Sequence, residues 1–94
     1  MSDALQIGIL GDFNPDFRSH HATNAAVEHA ARRFGLPVES RWLPTPSLLE
    51  PGVEGLLAAC DGLWASSGSP YRSMESMLRA IEFARKRDWP FVGT

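Results

Sequence analysis

Residues able to do chemistry gather in two short stretches. The first is Asp12-Phe13-Asn14-Pro15-Asp16-Phe17, where two carboxylates and an amide could meet a cation or a polar ligand. The second is Ser66-Ser67-Gly68-Ser69-Pro70, a Ser/Gly/Pro turn followed by Tyr71 and Arg72. Such a turn needs no ligand to explain it. A substrate-facing role for Tyr71 and Arg72 stands beside a plain capping or packing role. Cys60, the single cysteine, precedes an Asp-Gly turn and reads as a small buried hydrophobe. His20 and His21 are neighbours, so on a helix they point about 100° apart and cannot share a metal. His29 lies more than two turns beyond, so no metal site is expected.

Two familiar chemistries drop out on spacing. A phosphorylated-aspartate site needs an acidic residue ending the third strand, where Ala65 to Ser67 stand instead. Gly8 and Gly11 lack the third glycine of a dinucleotide fingerprint.

Strands and helices must position these loops. Leu5 to Leu10 is an apolar, β-branched run closed by Gly11-Asp12, the mark of a buried parallel strand. Ser19 is the expected N-cap of a helix running to Phe34, with Gly35 as its stop. Ala22, Ala25, Ala26, Ala30 and Phe34 form its expected sheet-facing stripe. Pro37 to Leu43 alternates apolar with polar and predicts a strand nearer the sheet edge. Pro44, Pro46 and Pro51 impose an irregular connection, with a helical turn or two around Val53 to Ala58 burying Leu56, Leu57 and Cys60. Leu63-Trp64-Ala65 is a third strand. Ser73 caps a second long helix, with Met74, Met77, Leu78, Ile81 and Ala84 at helical spacing. Arg85, Lys86 and Arg87 close it at the negative end of its dipole. Pro90-Phe91-Val92-Gly93 begins a fourth strand. Trp42, Trp64 and Trp89 are expected in packing.

This alternation predicts a flavodoxin-like α/β fold: a parallel sheet of order 2-1-3-4 with helices on both faces, three layers in all. Both chemistry-bearing loops then emerge at the carboxyl ends of the strands, where ligands bind in such sheets. The 94 residues suit a single domain, spanning 1–94. A formal charge of −2 argues against a nucleic-acid or anionic-membrane surface. The unpaired Cys60 suits a reducing, cytoplasmic setting.

Four phrases carry a family resemblance. They are Ile7-Gly8-Ile9-Leu10-Gly11; Asp61-Gly62-Leu63-Trp64; Gly68-Ser69-Pro70-Tyr71-Arg72-Ser73-Met74-Glu75; and Ala80-Ile81-Glu82-Phe83-Ala84-Arg85 leading into Trp89-Pro90-Phe91-Val92-Gly93-Thr94. In order and spacing they resemble a class I glutamine amidotransferase domain of the CTP synthase sort. The resemblance implies glutamine as substrate, no cofactor, and a cysteine nucleophile on a sharp turn after the fourth strand. Gly68 matches a glycine whose backbone N–H contributes to the oxyanion hole, and Ser67 and Ser69 would contact glutamine through their main chain. Ser66-Ser67 replace the family's Pro-Gly, and Pro70 replaces a glycine.

By the same matching, Gly93 is the first glycine of the nucleophile turn and Thr94 its second residue. The chain is then a partial domain, inactive by itself, because the nucleophile and its His and Glu partners are absent from it. A selenocysteine codon read as a stop would give such an end. The alternative is a non-catalytic small-ligand-binding or structural subunit. A partial domain is expected to expose Leu63, Ala65, Phe91 and Val92 and to associate as a homodimer or higher oligomer.

Overall fold

The structure, a computed structural model, describes residues 4–66 and 73–93. Its strands are β1 (Leu5–Leu10), β2 (Val38–Leu43), β3 (Gly62–Ala65) and β4 (Phe91–Gly93). Its α-helices are α1 (Arg18–Phe34), α2 (Val53–Ala58) and α3 (Met74–Arg87), with a 3-10 helix over Thr45–Leu49. The strands form one parallel sheet in the order β2-β1-β3-β4, as the alternation predicts. Ile9 sits between Trp42 and Trp64, which fixes the register across the three longer strands.

Side-chain alternation divides the sheet into two unequal faces. Leu10, Leu43, Leu63 and Ala65 face one hydrophobic cluster, closed over by Leu48, Leu57, Met77, Ala80 and Phe83 from the 3-10 helix, α2 and α3. Gly8 belongs to this face for a steric reason. A methyl group there would lie 2.7 Å from Cys60 Sγ. The other face carries α1, which packs over β2.

Several local expectations change. The Ser19 cap does not form: α1 begins two residues earlier, at Arg18 after Phe17, with no side-chain cap. The Phe17 carbonyl accepts from the His20 and His21 amides, so the Pro15-Asp16-Phe17 turn starts the helix through the backbone. The alanine stripe is not buried against the sheet either. His20 and Thr23 are the buried residues of α1, while Phe34 is 71% exposed.

On α3 the buried face is Ser76, Met77, Ala80, Phe83 and Ala84, whereas Met74, Leu78 and Ile81 are exposed. The Ser73 cap forms as expected, its Oγ accepting from the Ser76 amide. Leu63 and Ala65 are buried under α3 rather than bare. Only Val92 of that expected set is largely open, and the other exposed apolar groups nearby are Leu5, Phe34 and Leu36.

Gly35 takes the left-handed conformation that its place as helix stop requires. Asp88 does the same after α3, and it is the one non-glycine residue with positive φ among those described.

Candidate functional site at the carboxyl ends of the strands

Asp12 after β1, Thr45 after β2 and Ser73 before α3 meet at the carboxyl edge of the sheet. The link among them is Thr45, fully buried just after β2. Its backbone N–H donates to Asp12 Oδ1 at 2.9 Å and its hydroxyl to Asp12 Oδ2 at 2.8 Å. The same hydroxyl oxygen accepts from the Ser73 amide at 2.9 Å. Ser73 Oγ in turn accepts from the Ser76 hydroxyl at 2.7 Å. A carboxylate after β1 therefore holds the start of α3 through one threonine. Charge-assisted bonds of this kind are shorter and stronger than neutral ones. Among the described residues no buried side-chain nitrogen or oxygen lacks a partner.

The rest of the β1–α1 loop is folded inward on itself. Asn14 Oδ1 accepts from the Asp16 amide, and the Asn14 amide donates to His20 Nδ1 at 2.9 Å. His21 Nε2 donates to the Pro15 carbonyl. Phe13 packs on His20, His21 and Trp42, while Phe17 meets His20 edge-on. Trp42 is pinned by its own N–H, which donates to Asn24 Oδ1 at 2.7 Å. The reading of Asp12, Asn14 and Asp16 as cation ligands is not supported by this arrangement. Two of the three spend their side-chain oxygens on the protein itself.

Ser66 follows β3 and is completely buried. Its amide and its hydroxyl both donate to the Leu10 carbonyl. Gly11 lies against it so closely that a methyl group at Gly11 would overlap Ser66 Oγ. The candidate site residues Ser67, Gly68 and Ser69, and Tyr71 and Arg72 after them, lie outside the described residues. Their flanks are placed: Ser66 holds the end of β3 to β1, and Ser73 is tied to Thr45.

Cys60 stands at the opposite, amino end of β3, inside the hydrophobic cluster. Its thiol donates weakly to the Leu56 carbonyl. Burial pushes the thiol above its ordinary value, and Asp61 adds to the rise while Arg41 opposes it. A thiol that is buried, protonated and far from the loops is inert as a nucleophile.

Sequence reasoning missed Thr45 and His20. Thr45 sits among prolines in a stretch that reads as irregular, and its partners lie 33 and 28 residues away. The one local signal was Pro-Thr-Pro itself, which starts a 3-10 helix.

The sheet order and the loops at its carboxyl edge define a flavodoxin-like α/β domain. No protein-family model matches the chain. Individual proteins do. The CTP synthase of Acidobacterium capsulatum is 32% identical over 89 residues, 95% of this chain and 16% of that protein. The CTP synthase of Pyrococcus abyssi is 29% identical over 93 residues, 99% of this chain and 17% of that protein. Among solved structures, the glutaminase domain of Trypanosoma brucei CTPS with bound acivicin matches at a TM-score of 0.82. That match has 19% identity and covers 96% of this chain and 36% of the other. The chain is thus homologous to CTP synthase along nearly all of its length, with the fold of the CTP synthase glutaminase domain. It spans about a sixth of the length of the curated relatives it matches.

Among the described residues no helix is long and apolar enough to cross a membrane.

Proposed function

We propose that residues 1–94 are a partial glutamine amidotransferase domain that supplies the sheet and the oxyanion side of a glutamine-hydrolysing site. The observation that carries this reading is homology over 93 of 94 residues to a CTP synthase, which takes in both carboxyl-end loops. In the reaction a thiolate attacks the glutamine carboxamide carbon, ammonia leaves, and water hydrolyses the thioester to glutamate and the free thiolate. The Gly68 amide would donate to the oxyanion formed in the attack, and Ser67 and Ser69 would hold glutamine through their main chain. By analogy with CTP synthase, the ammonia would serve pyrimidine nucleotide synthesis. The setting is cytoplasmic, in keeping with the free thiol of Cys60.

Within these 94 residues the only thiol is Cys60, at the wrong end of the sheet. The polypeptide alone therefore does not hydrolyse glutamine. The nucleophile belongs on a turn after β4, as cysteine or selenocysteine, with His and Glu partners beyond it. Copies of the chain also associate with one another, since apolar surface stays open beside α1.

A glutaminase assay tests the reading. The 94-residue polypeptide should release no ammonia, and a version extended through a cysteine and the downstream partners should release it. In that extended protein Gly68→Pro, which deletes the amide, should lower kcat by roughly a hundredfold or more. Equal activity with and without the extension would overturn the assignment. The non-catalytic reading built on the Gly11 to Phe17 stretch gains nothing from the geometry, because the polar groups of Asp12 and Asn14 point inward.

A further inference from the structure

The connection from β3 to α3 is tied at both of its ends, and both ties lead back to the end of β1. Ser66, on the near side, gives its amide and its hydroxyl to the carbonyl of Leu10, the last residue of β1. Ser73, on the far side, gives its amide to Thr45 Oγ1 at 2.9 Å. Thr45 is held in turn by the carboxylate of Asp12, two residues past β1. Gly68 lies between these two anchors in the sequence.

We propose that Asp12, acting through Thr45, is a positioning residue for glutamine hydrolysis. It fixes the far end of the connection that carries Gly68, the residue whose amide is assigned to the oxyanion. The proposal deepens the glutaminase reading and rests on it.

The hydrogen-bond chemistry of the relay calls for a carboxylate at position 12. A threonine hydroxyl has one proton and two lone pairs. With its proton given to Asp12 Oδ2, a lone pair is left to face the Ser73 N–H. An ionised carboxylate only accepts, so it takes the Thr45 N–H and the Thr45 hydroxyl together. Asparagine has the same shape but puts an N–H where one of those oxygens stood. Either the Thr45 amide then meets a donor, or the hydroxyl turns its proton away to accept one. Thr45 is fully buried, so bulk water does not make up the loss. An oxyanion donor works only at hydrogen-bond distance from the developing charge, and a displacement of about 1 Å costs on the order of a hundredfold in rate.

The test is kcat/KM for glutamine in the protein extended through the nucleophile and its partners. Asp12→Asn should lower it roughly ten- to a hundredfold, and Thr45→Val by as much. Thr45→Ser keeps the hydroxyl and should restore most of the rate. Leu57→Val thins the buried cluster near the amino end of β3 and should leave the rate as it is. The same substitutions are then made in Gly68→Pro, which lacks the amide. There Asp12→Asn and Thr45→Val should lower the rate no further, because they act on an interaction already lost. Should Asp12→Asn not fold by circular dichroism, the Thr45→Val and Thr45→Ser pair carries the same comparison.

Full additivity with Gly68→Pro overturns the positioning role and leaves Asp12 a contributor to stability alone. Parental activity in Asp12→Asn and Thr45→Val overturns it as well, while the glutaminase reading stands. An extended parent protein that releases no ammonia from glutamine overturns the reading and this inference together.

Discussion

Thr45 gives both its N–H and its hydroxyl proton to the two oxygens of Asp12, across 33 positions of sequence. The contact joins the loop after β1 to the end of β2, and the Ser73 amide completes it by donating to the same threonine oxygen. One side chain therefore sets three segments at the carboxyl edge of the sheet.

Thr45→Val keeps the shape and removes the hydroxyl. It removes one hydrogen bond to Asp12 and the acceptor of the Ser73 amide, a loss of about 2–4 kcal/mol in unfolding free energy. Thr45→Ser restores the hydroxyl and should recover most of it. Urea denaturation of the three proteins checks the order.

Gly11 cannot carry a side chain while Ser66 keeps its hydroxyl. Gly11→Ala should destabilise by about 1–3 kcal/mol, the usual effect of overfilling a packed site. Ser66→Gly in the same background should recover part of the loss. A double-mutant cycle measures the coupling, and simple additivity would contradict the contact.

Ser73 caps α3, whereas Ser19 caps nothing. Ser73→Ala should cost about 1 kcal/mol. Ser19→Ala should stay within about 0.5 kcal/mol of the parent. Thermal melts of the pair distinguish a cap made by a side chain from one made by backbone alone.

The folded state disfavours the Cys60 thiolate, so its pKa is raised above 9.0. The unfolded chain loses this proton first as pH rises. Below the unfolded value the thiol does not make stability vary with pH; above it, stability falls until the folded thiol ionises as well. Denaturation between neutral and strongly alkaline pH should show this decline, and Cys60→Ala should flatten it. Alkylation of Cys60 in the native protein should be far slower than in urea.

Strand order was legible because β1, β3 and β4 are short apolar runs, β2 alternates apolar with polar up to Pro44, and parallel connection leaves few topologies. Which side of a helix turns inward was not. On α1 the alanines look apolar and His20 looks polar, yet His20 is buried because Phe13, Phe17 and Trp42 surround it. On α3 two apolar stripes compete, and the one ending in Phe83 wins because Phe83 meets Trp89 in the cluster. The network at the sheet's carboxyl edge was not legible, because Asp12, Thr45 and Ser73 meet only after the sheet has formed.

The three tryptophans divide the molecule among themselves. Trp42 stands with Phe13 and His20 at the loop end, Trp64 floors an open groove beside α1, and Trp89 donates its indole N–H to the Cys60 carbonyl on the α3 side. Replacing two of them by phenylalanine in turn leaves an intrinsic fluorophore reporting on a single region. Each single-tryptophan protein should then report the unfolding of its own region in urea.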